Sequence, residues 1–376
     1  MDNNTSAQQQ LIAAELHKMD QLFSGLPAWL ARQFDRKSGG FYYAASSREL
    51  AAPVPDIEST AQAVNMLERL GLLGDMPDSV RQQMIHFLCS KQDAATGCFW
   101  DEQPAMREDE VMVSRAIGYS INALRKLGGE ARYPLPYVQG RAPLYMKSAE
   151  AYGQWLRSVD LSNSWRGCDR LSCSAVYLKQ LDHRDEQAYR DVALQYFEEL
   201  QDKETGLWGD GSLYVKISGT FKLHLFYQHF EAGMPRAGNI YASILRALQE
   251  ERAEDMCYIR NPIHLLSYIK PAIAREELQF IIKRTTDNMR LLLRADGGFS
   301  RELAHSPAAP NIAQVKRGEC YPVMPKPVYL SLGKIEGDLN AATQALLIRS
   351  LCYRLAGIEE AKLPVQASDF FERLGQ

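Results

Sequence analysis

The sequence predicts an all-α protein built as a single-domain (α/α)6 toroid, six helical hairpins arranged as an inner and an outer ring. Three observations predict it. Apolar residues recur at helical spacing along most of the 376-residue chain, and runs of alternating β-branched residues are nearly absent. The helical segments fall into six consecutive pairs, with no linker-like stretch between them. A short phrase also repeats four times: helix end, acidic residue, one or two glycines, aromatic. Its copies are Gln33-Phe34-Asp35 to Gly39-Gly40-Phe41, Gln92-Asp93 to Gly97-Cys98-Phe99, Gln201-Asp202 to Gly206-Leu207-Trp208, and Asp296-Gly297-Gly298-Phe299.

Residues 1–7 read as flexible. The first hairpin pairs about 8–34, interrupted by Pro27, with about 57–71, where Gly71 suits a left-handed C-cap. The second pairs about 78–92, entered through Pro77-Asp78-Ser79, with about 109–127, closed by Gly128-Gly129. The third and fourth pair about 148–158 with 169–182 and about 186–201 with 217–232, the last closed by Gly233. The fifth pairs about 237–250 with 257–269, where Pro262 weakens the helical signal. The sixth pairs about 273–294 with 337–356, closed by Gly357, and an accessory helix of about 367–374 packs outside.

Within each pair the first helix is expected outside and the second inside. Segments 186–201 and 273–294 are amphipathic and highly charged, as an outer ring requires. Segments 109–127 and 337–356 carry small residues, among them Ser114, Ala116, Gly118, Ala341, Ala342 and Ala345, which let helices crowd around a centre. Alternation then brings the long links 35–56, 93–108, 202–216 and 295–336 to one end of the barrel, where binding and catalysis are expected.

Composition excludes several classes. A net charge of −3 argues against nucleic acid, and no apolar run approaches the roughly 20 residues of a membrane span. The start, Met1-Asp2-Asn3-Asn4-Thr5, lacks the basic flank and apolar core of a signal peptide. Seven scattered cysteines without a Cys-x-x-Cys pair read as reduced thiols, so a cytoplasmic location is expected. Phosphate-binding glycine loops, His-Glu-x-x-His and Gly-x-Ser-x-Gly are absent, and neither metal nor cofactor is expected.

The repeated phrase resembles that of the terpenoid cyclase and protein prenyltransferase superfamily, best at Leu200-Gln201-Asp202 to Trp208-Gly209 and at Asp296 to Phe299. The resemblance implies the toroid over most of the chain. Pro55-Asp56-Ile57-Glu58-Ser59-Thr60-Ala61 resembles the Asp-x-Asp-Asp-Thr-Ala segment of class II cyclases. There Asp56 matches the first acid, Glu58 stands in the place of the proton donor, and Ser59 replaces the last aspartate. The resemblance thus implies an isoprenoid substrate protonated by Glu58, supported by Asp56, in an aromatic-lined cavity. Read without it, Asp56 is an N-cap and Glu58 a first-turn acid.

Other polar residues fall at the same level of the inner helices: Arg107 to Glu110 with Arg115, Asp169 and Arg170, Lys216 to Lys222 with His224 and His229, Arg260 to His264, Asp338 and Asn340. Each alone suits a cap or a salt bridge; together they suggest a polar ring at one opening. Glu58 or Asp56 with Glu110 or Asp169 could act as acid and base on a glycosidic bond, with Arg115, Arg170 or Lys222 holding acidic groups. A glycoside hydrolase or polysaccharide lyase acting on an oligosaccharide is therefore the alternative, and a non-catalytic ligand- or partner-binding toroid the third reading. Phe99, Trp208 and Phe299 are expected to plug the links, whereas Trp100, Trp165, Tyr214 and Tyr321 are expected to face the pocket.

Overall fold

The computed structural model describes residues 2–138, 140–181 and 183–375, and among them every regular element is helical. In chain order these are α1 (Asp2–Asp20), α2 (Leu26–Ala31), α3 (Ile57–Arg69), α4 (Asp78–Ser90), α5 (Ala105–Glu108), α6 (Glu110–Leu127), α7 (Ala149–Ser158) and α8 (Ser164–Ser172). They continue as α9 (Ala175–Leu178), α10 (His183–Leu200), α11 (Leu213–His229), α12 (Ala237–Glu250), α13 (Met256–Ile269), α14 (Arg275–Leu292), α15 (Leu339–Ala356) and α16 (Ala367–Gly375). Helices α3, α6, α8, α11, α13 and α15 pack each on the next, and α15 returns to α3. That closed ring, with α1, α4, α7, α10, α12 and α14 outside it, is the (α/α)6 toroid. Helix α16 lies on α2.

The two rings follow from sequence pattern. On α14, Leu278, Ile281, Ile282, Thr285, Met289 and Leu292 form one buried stripe, while Glu276, Lys283 and Arg290 are exposed. On α15, burial runs round the helix through Ala341, Ala342, Ala345, Leu346 and Ile348, as a helix covered on both sides requires. Pro262 sits inside α13, which runs through it.

The repeated phrase has a structural reason. In the first three copies the acid opens a tight turn: Asp35, Asp93 and Asp202 each take a side-chain bond from the residue three positions on, at 2.7–3.1 Å. Each main-chain carbonyl also accepts from Gly39, Gly97 or Gly206, whose φ values of 81°, 72° and 70° favour glycine. The glutamine then ties two links together. Gln92 Nε2 donates to Gly97 O and Tyr133 O, and Gln201 Nε2 to Gly206 O and Pro235 O. Phe41, Phe99, Trp208 and Phe299 are fully buried behind these turns.

Two inner helices differ from expectation. The third inner helix begins at Ser164, because Asn163 Oδ1 caps it by accepting from Arg166 N at 3.0 Å. It breaks after Ser172, where Ser172 and Ser174 hydroxyls bond back to Asp169 O and Leu171 O and compete with the helix. The fourth begins at Leu213 behind Ser212 and ends at His229, with Glu231 rather than Gly233 in the left-handed conformation.

Helices α8 and α11 make the tightest joint of the ring. A Cβ on Gly219 would lie 2.1 Å from Ser164 Oγ and 2.5 Å from its carbonyl oxygen. We expect Gly219→Ala to cost about 1–3 kcal/mol in denaturant unfolding, through overpacking. Gly118→Ala, with no heavy atom within 4 Å of the added carbon, should instead stabilise by up to about 1 kcal/mol.

Candidate functional site

All six inner helices open with a capping side chain: Asp56, Asp109, Asn163, Ser212, Asp255 and Asp338 each accept from a first-turn N–H. Neighbouring links lock onto the same ends. Ile57 N donates to the Asp101 carboxylate, Ser164 N to Asp210 O, Leu213 N to Glu251, Met256 N to Arg301 O and Leu339 N to Tyr43 O. These contacts gather the long links at one mouth. The longest, 293–338, crosses it as a lid. Asn163 holds the lid at Glu319, Ser47 at Leu330 O and Gln103 at Tyr329 O.

Beneath the lid lies a cavity of about 50 Å³, enough for a few waters or one oxyanion-sized group. Arg115, Lys222, Arg260 and Arg301 line it against a single carboxylate, Glu58, with the amides of Gln314, Asn340 and Gln344, the rings of Tyr119 and Trp165 and the Cys257 thiol completing the wall. Behind the wall, Asp169 takes Arg115 at 2.5 Å, Lys222 at 2.7 Å and Gln314 at 3.2 Å. Asp255 takes Lys316 at 2.6 Å and Arg301 at 3.3 Å.

This cluster is rich in cations, and its electrostatics follow. Burial works against the charge on Asp169, but Arg115 and Lys222 hold its carboxyl well below the usual carboxylate range. Lys222 shares that one anion with Arg115. Burial, with repulsion from Arg115 and Arg260, lowers its ammonium to about 8. Arg260 has only neutral partners: Nε donates to Gln344 Oε1 at 3.2 Å, and its guanidinium lies 3.8 Å from the centre of the Phe221 ring. Among the described residues no carboxylate lies within ion-pair distance of it. Burial lowers the guanidinium below its ordinary value. One turn on, burial keeps the His224 and His264 rings neutral, at about 4 and about 2, so they add no charge. Glu58 accepts from Gln62 at 3.0 Å and Asn340 at 3.1 Å, and Arg115 stands at ion-pair distance, 3.9 Å.

Of the residues singled out from sequence, Glu58, Arg115, Lys222, Trp165, Arg260 and Asn340 line the cavity and Asp169 stands behind it. Asp169 lies within α8 rather than at its start, because the helix begins five residues early. Glu110 and Arg170 pair at 3.1 Å nearer the rim, on a separate pocket, and Tyr321 is buried beside Arg170. Trp100 packs under Arg107, and Tyr214 is fully buried, stacked on Tyr258 at 5.1 Å. Asp56 is buried as the α3 cap, outside the cavity lining. The lid supplies Arg301, Gln314 and Lys316, which no motif signalled. Tyr119, one helical turn beyond Arg115, was reachable from that spacing.

No family model, curated protein sequence or solved structure matches this chain. Among the described residues no helix is long and apolar enough to cross a membrane.

The α3 cap sits beside a second buried acid. Burial and the neighbouring Asp101 raise Asp56 to about 7, and burial raises Asp101 to about 6. The folded chain therefore holds these protons more tightly than the unfolded chain, whose carboxyls titrate near pH 4. The pair contributes stability below about pH 4 that is lost as the pH rises through about 7. Asp56→Asn keeps the cap and removes the repulsion. Unfolding free energy measured from pH 4 to 8 should decline less steeply in Asp56→Asn, with stability at pH 8 equal to wild type or higher.

Proposed function

We propose that the chain is an enzyme acting on an acidic carbohydrate, binding a sugar carboxylate at the centre of the toroid and moving a proton at the adjacent carbon, as a lyase does. The observation that carries this reading is Arg260, a guanidinium beneath the lid with no carboxylate partner, in a wall of four cations and one acid. A buried charge is retained at a cost unless something pairs with it. An anionic group of the substrate would do so. The amides of Gln314, Asn340 and Gln344, and Glu58 as an acceptor, suit hydroxyl groups. A ligand larger than an oxyanion would enter by displacing the lid.

In an elimination of this kind, Arg260 and Arg115 neutralise the carboxylate and so make the neighbouring C–H more acidic. The Lys222 amine, lowered to about 8, takes that proton. The carbon–oxygen bond at the next position breaks as the double bond forms. The Tyr119 hydroxyl, which burial keeps protonated, returns a proton to the leaving oxygen. A two-carboxylate hydrolysis is less well supported, because Asp169 is already clamped by two cations. A cyclase would want an apolar, aromatic wall, and two aromatics among cations and amides do not supply one.

Two measurements test the reading. Arg260→Gln should weaken glucuronate binding by calorimetry about ten- to a hundredfold, the worth of a hydrogen bond to a charged group. It should leave the free protein as stable as wild type or more so. Unchanged affinity would remove Arg260 from the site. With uronide polymers, release of unsaturated ends followed by ultraviolet absorbance should show kcat/KM rising as the pH passes about 8. A fall through that range would make Lys222 an anion-binding group only, and Lys222→Met should abolish the dependence in either case.

A further inference from the structure

Between the start of α6, the outward side of α8 and lid residues 323–326 lies a second pocket, of about 310 Å³. Three ion pairs line it. Lys326 meets Glu108 at 2.7 Å, Arg170 meets Glu110 at 3.1 Å and Arg166 meets Asp109 at 3.1 Å. The third differs from the others. Arg166 and Asp109 have side chains only 4% and 2% exposed, yet among the described residues Arg166 Nε and Nη1 and Asp109 Oδ2 have no hydrogen-bond partner. Asp109 Oδ1 already serves the α6 cap and Arg166 Nη2. A buried donor or acceptor without a partner calls for an explanation, and a bound water or ligand is one. Here two donors stand beside one acceptor, and the opposite wall, Val111, Val323, Met324 and Pro325, is apolar.

We propose that this pocket is a separate binding site for a small carboxylate that carries a hydroxyl or amino group on the adjacent carbon and an apolar body beyond it. The carboxylate accepts from Arg166 Nε and Nη1, and the neighbouring group donates to Asp109 Oδ2. The apolar body lies against Val323 and Met324. Glu108 and Glu110 are occupied by Lys326 and Arg170, so they do not repel the ligand uncompensated. The site shares no lining residue with the central cavity.

Calorimetric titration of the full chain with 3-phenyllactate, phenylalanine and 3-phenylpropionate tests this, since the three share a body and differ only beside the carboxylate. At least one of the first two should bind ten-fold or more tighter than phenylpropionate, and which one does so identifies the group that Asp109 reads. Asp109→Asn retains the α6 cap and should erase that preference. Arg166→Gln should weaken binding at least ten-fold, and Arg260→Gln should leave it unchanged. Val323 is 57% exposed, so Val323→Trp narrows the pocket without touching the buried pair and should weaken binding equally. That variant decides the matter if Arg166→Gln fails to fold. Equal binding of all three probes, loss on Arg260→Gln, or no saturable binding, meaning that the pocket holds only water, would overturn the proposal.

Discussion

Six inner helices start at one end of the toroid, and the caps at those starts are the constraint on which the rest of the structure depends. A helix N-terminus leaves its first N–H groups without intrahelical partners and carries partial positive charge. Six of them side by side concentrate that cost around one opening. Asp56, Asp109, Asp255 and Asp338 answer it with carboxyl oxygens, Asn163 with an amide oxygen and Ser212 with a hydroxyl. The arginines and lysines then answer the aspartates: Arg166 for Asp109, Arg301 and Lys316 for Asp255. The polar character of the mouth is thus a chain of consequences that starts in backbone geometry.

Asp169 and Arg260 are not explained by that chain. Asp169 is not a cap, yet it organises Arg115, Lys222 and Gln314 from within α8. Arg260 answers no acid among the described residues. Side chains that solve a folding problem come in pairs, and those left over point to a different demand. The surplus cation is what separates the centre of the ring from the pocket at its rim, where Lys326, Arg170 and Arg166 meet Glu108, Glu110 and Asp109.

The toroid was legible because its cause is local and repeated. The phrase built on Gln201, Asp202, Gly206 and Trp208 is a turn, a left-handed glycine and a plug, each readable from residue type. Helix starts were harder. Asn163 and Ser212 cap as well as aspartate does, but they precede Ser164-Trp165-Arg166 and Leu213-Tyr214-Val215, which carry little helical periodicity, so two inner helices were set several residues late. The centre was legible by half. Glu58, Arg115, Lys222 and Trp165 lie on inner helices, where level along the helix predicts position. Arg301, Gln314 and Lys316 ride on the lid, whose path over the mouth is fixed by tertiary contacts such as Asn163 to Glu319. Tyr214 was misplaced for a related reason: an aromatic in a first turn can face its neighbour, here Tyr258, as well as the opening.

The return of α15 to α3 sets this chain apart from an open stack of the same hairpins. In an open array each hairpin leans on its neighbours alone, and stability grows by near-independent increments. Here the last inner helix packs on the first, and Leu339 N reaches Tyr43 O across nearly three hundred residues of sequence. That seam can form only once α15 has been made. Until then two edges of the ring stand open to solvent. Contacts of such sequence separation are slow to form. A nascent chain of this kind therefore matures late and all at once, and the stretch between synthesis of α3 and arrival of α15 is when it depends most on protection from aggregation.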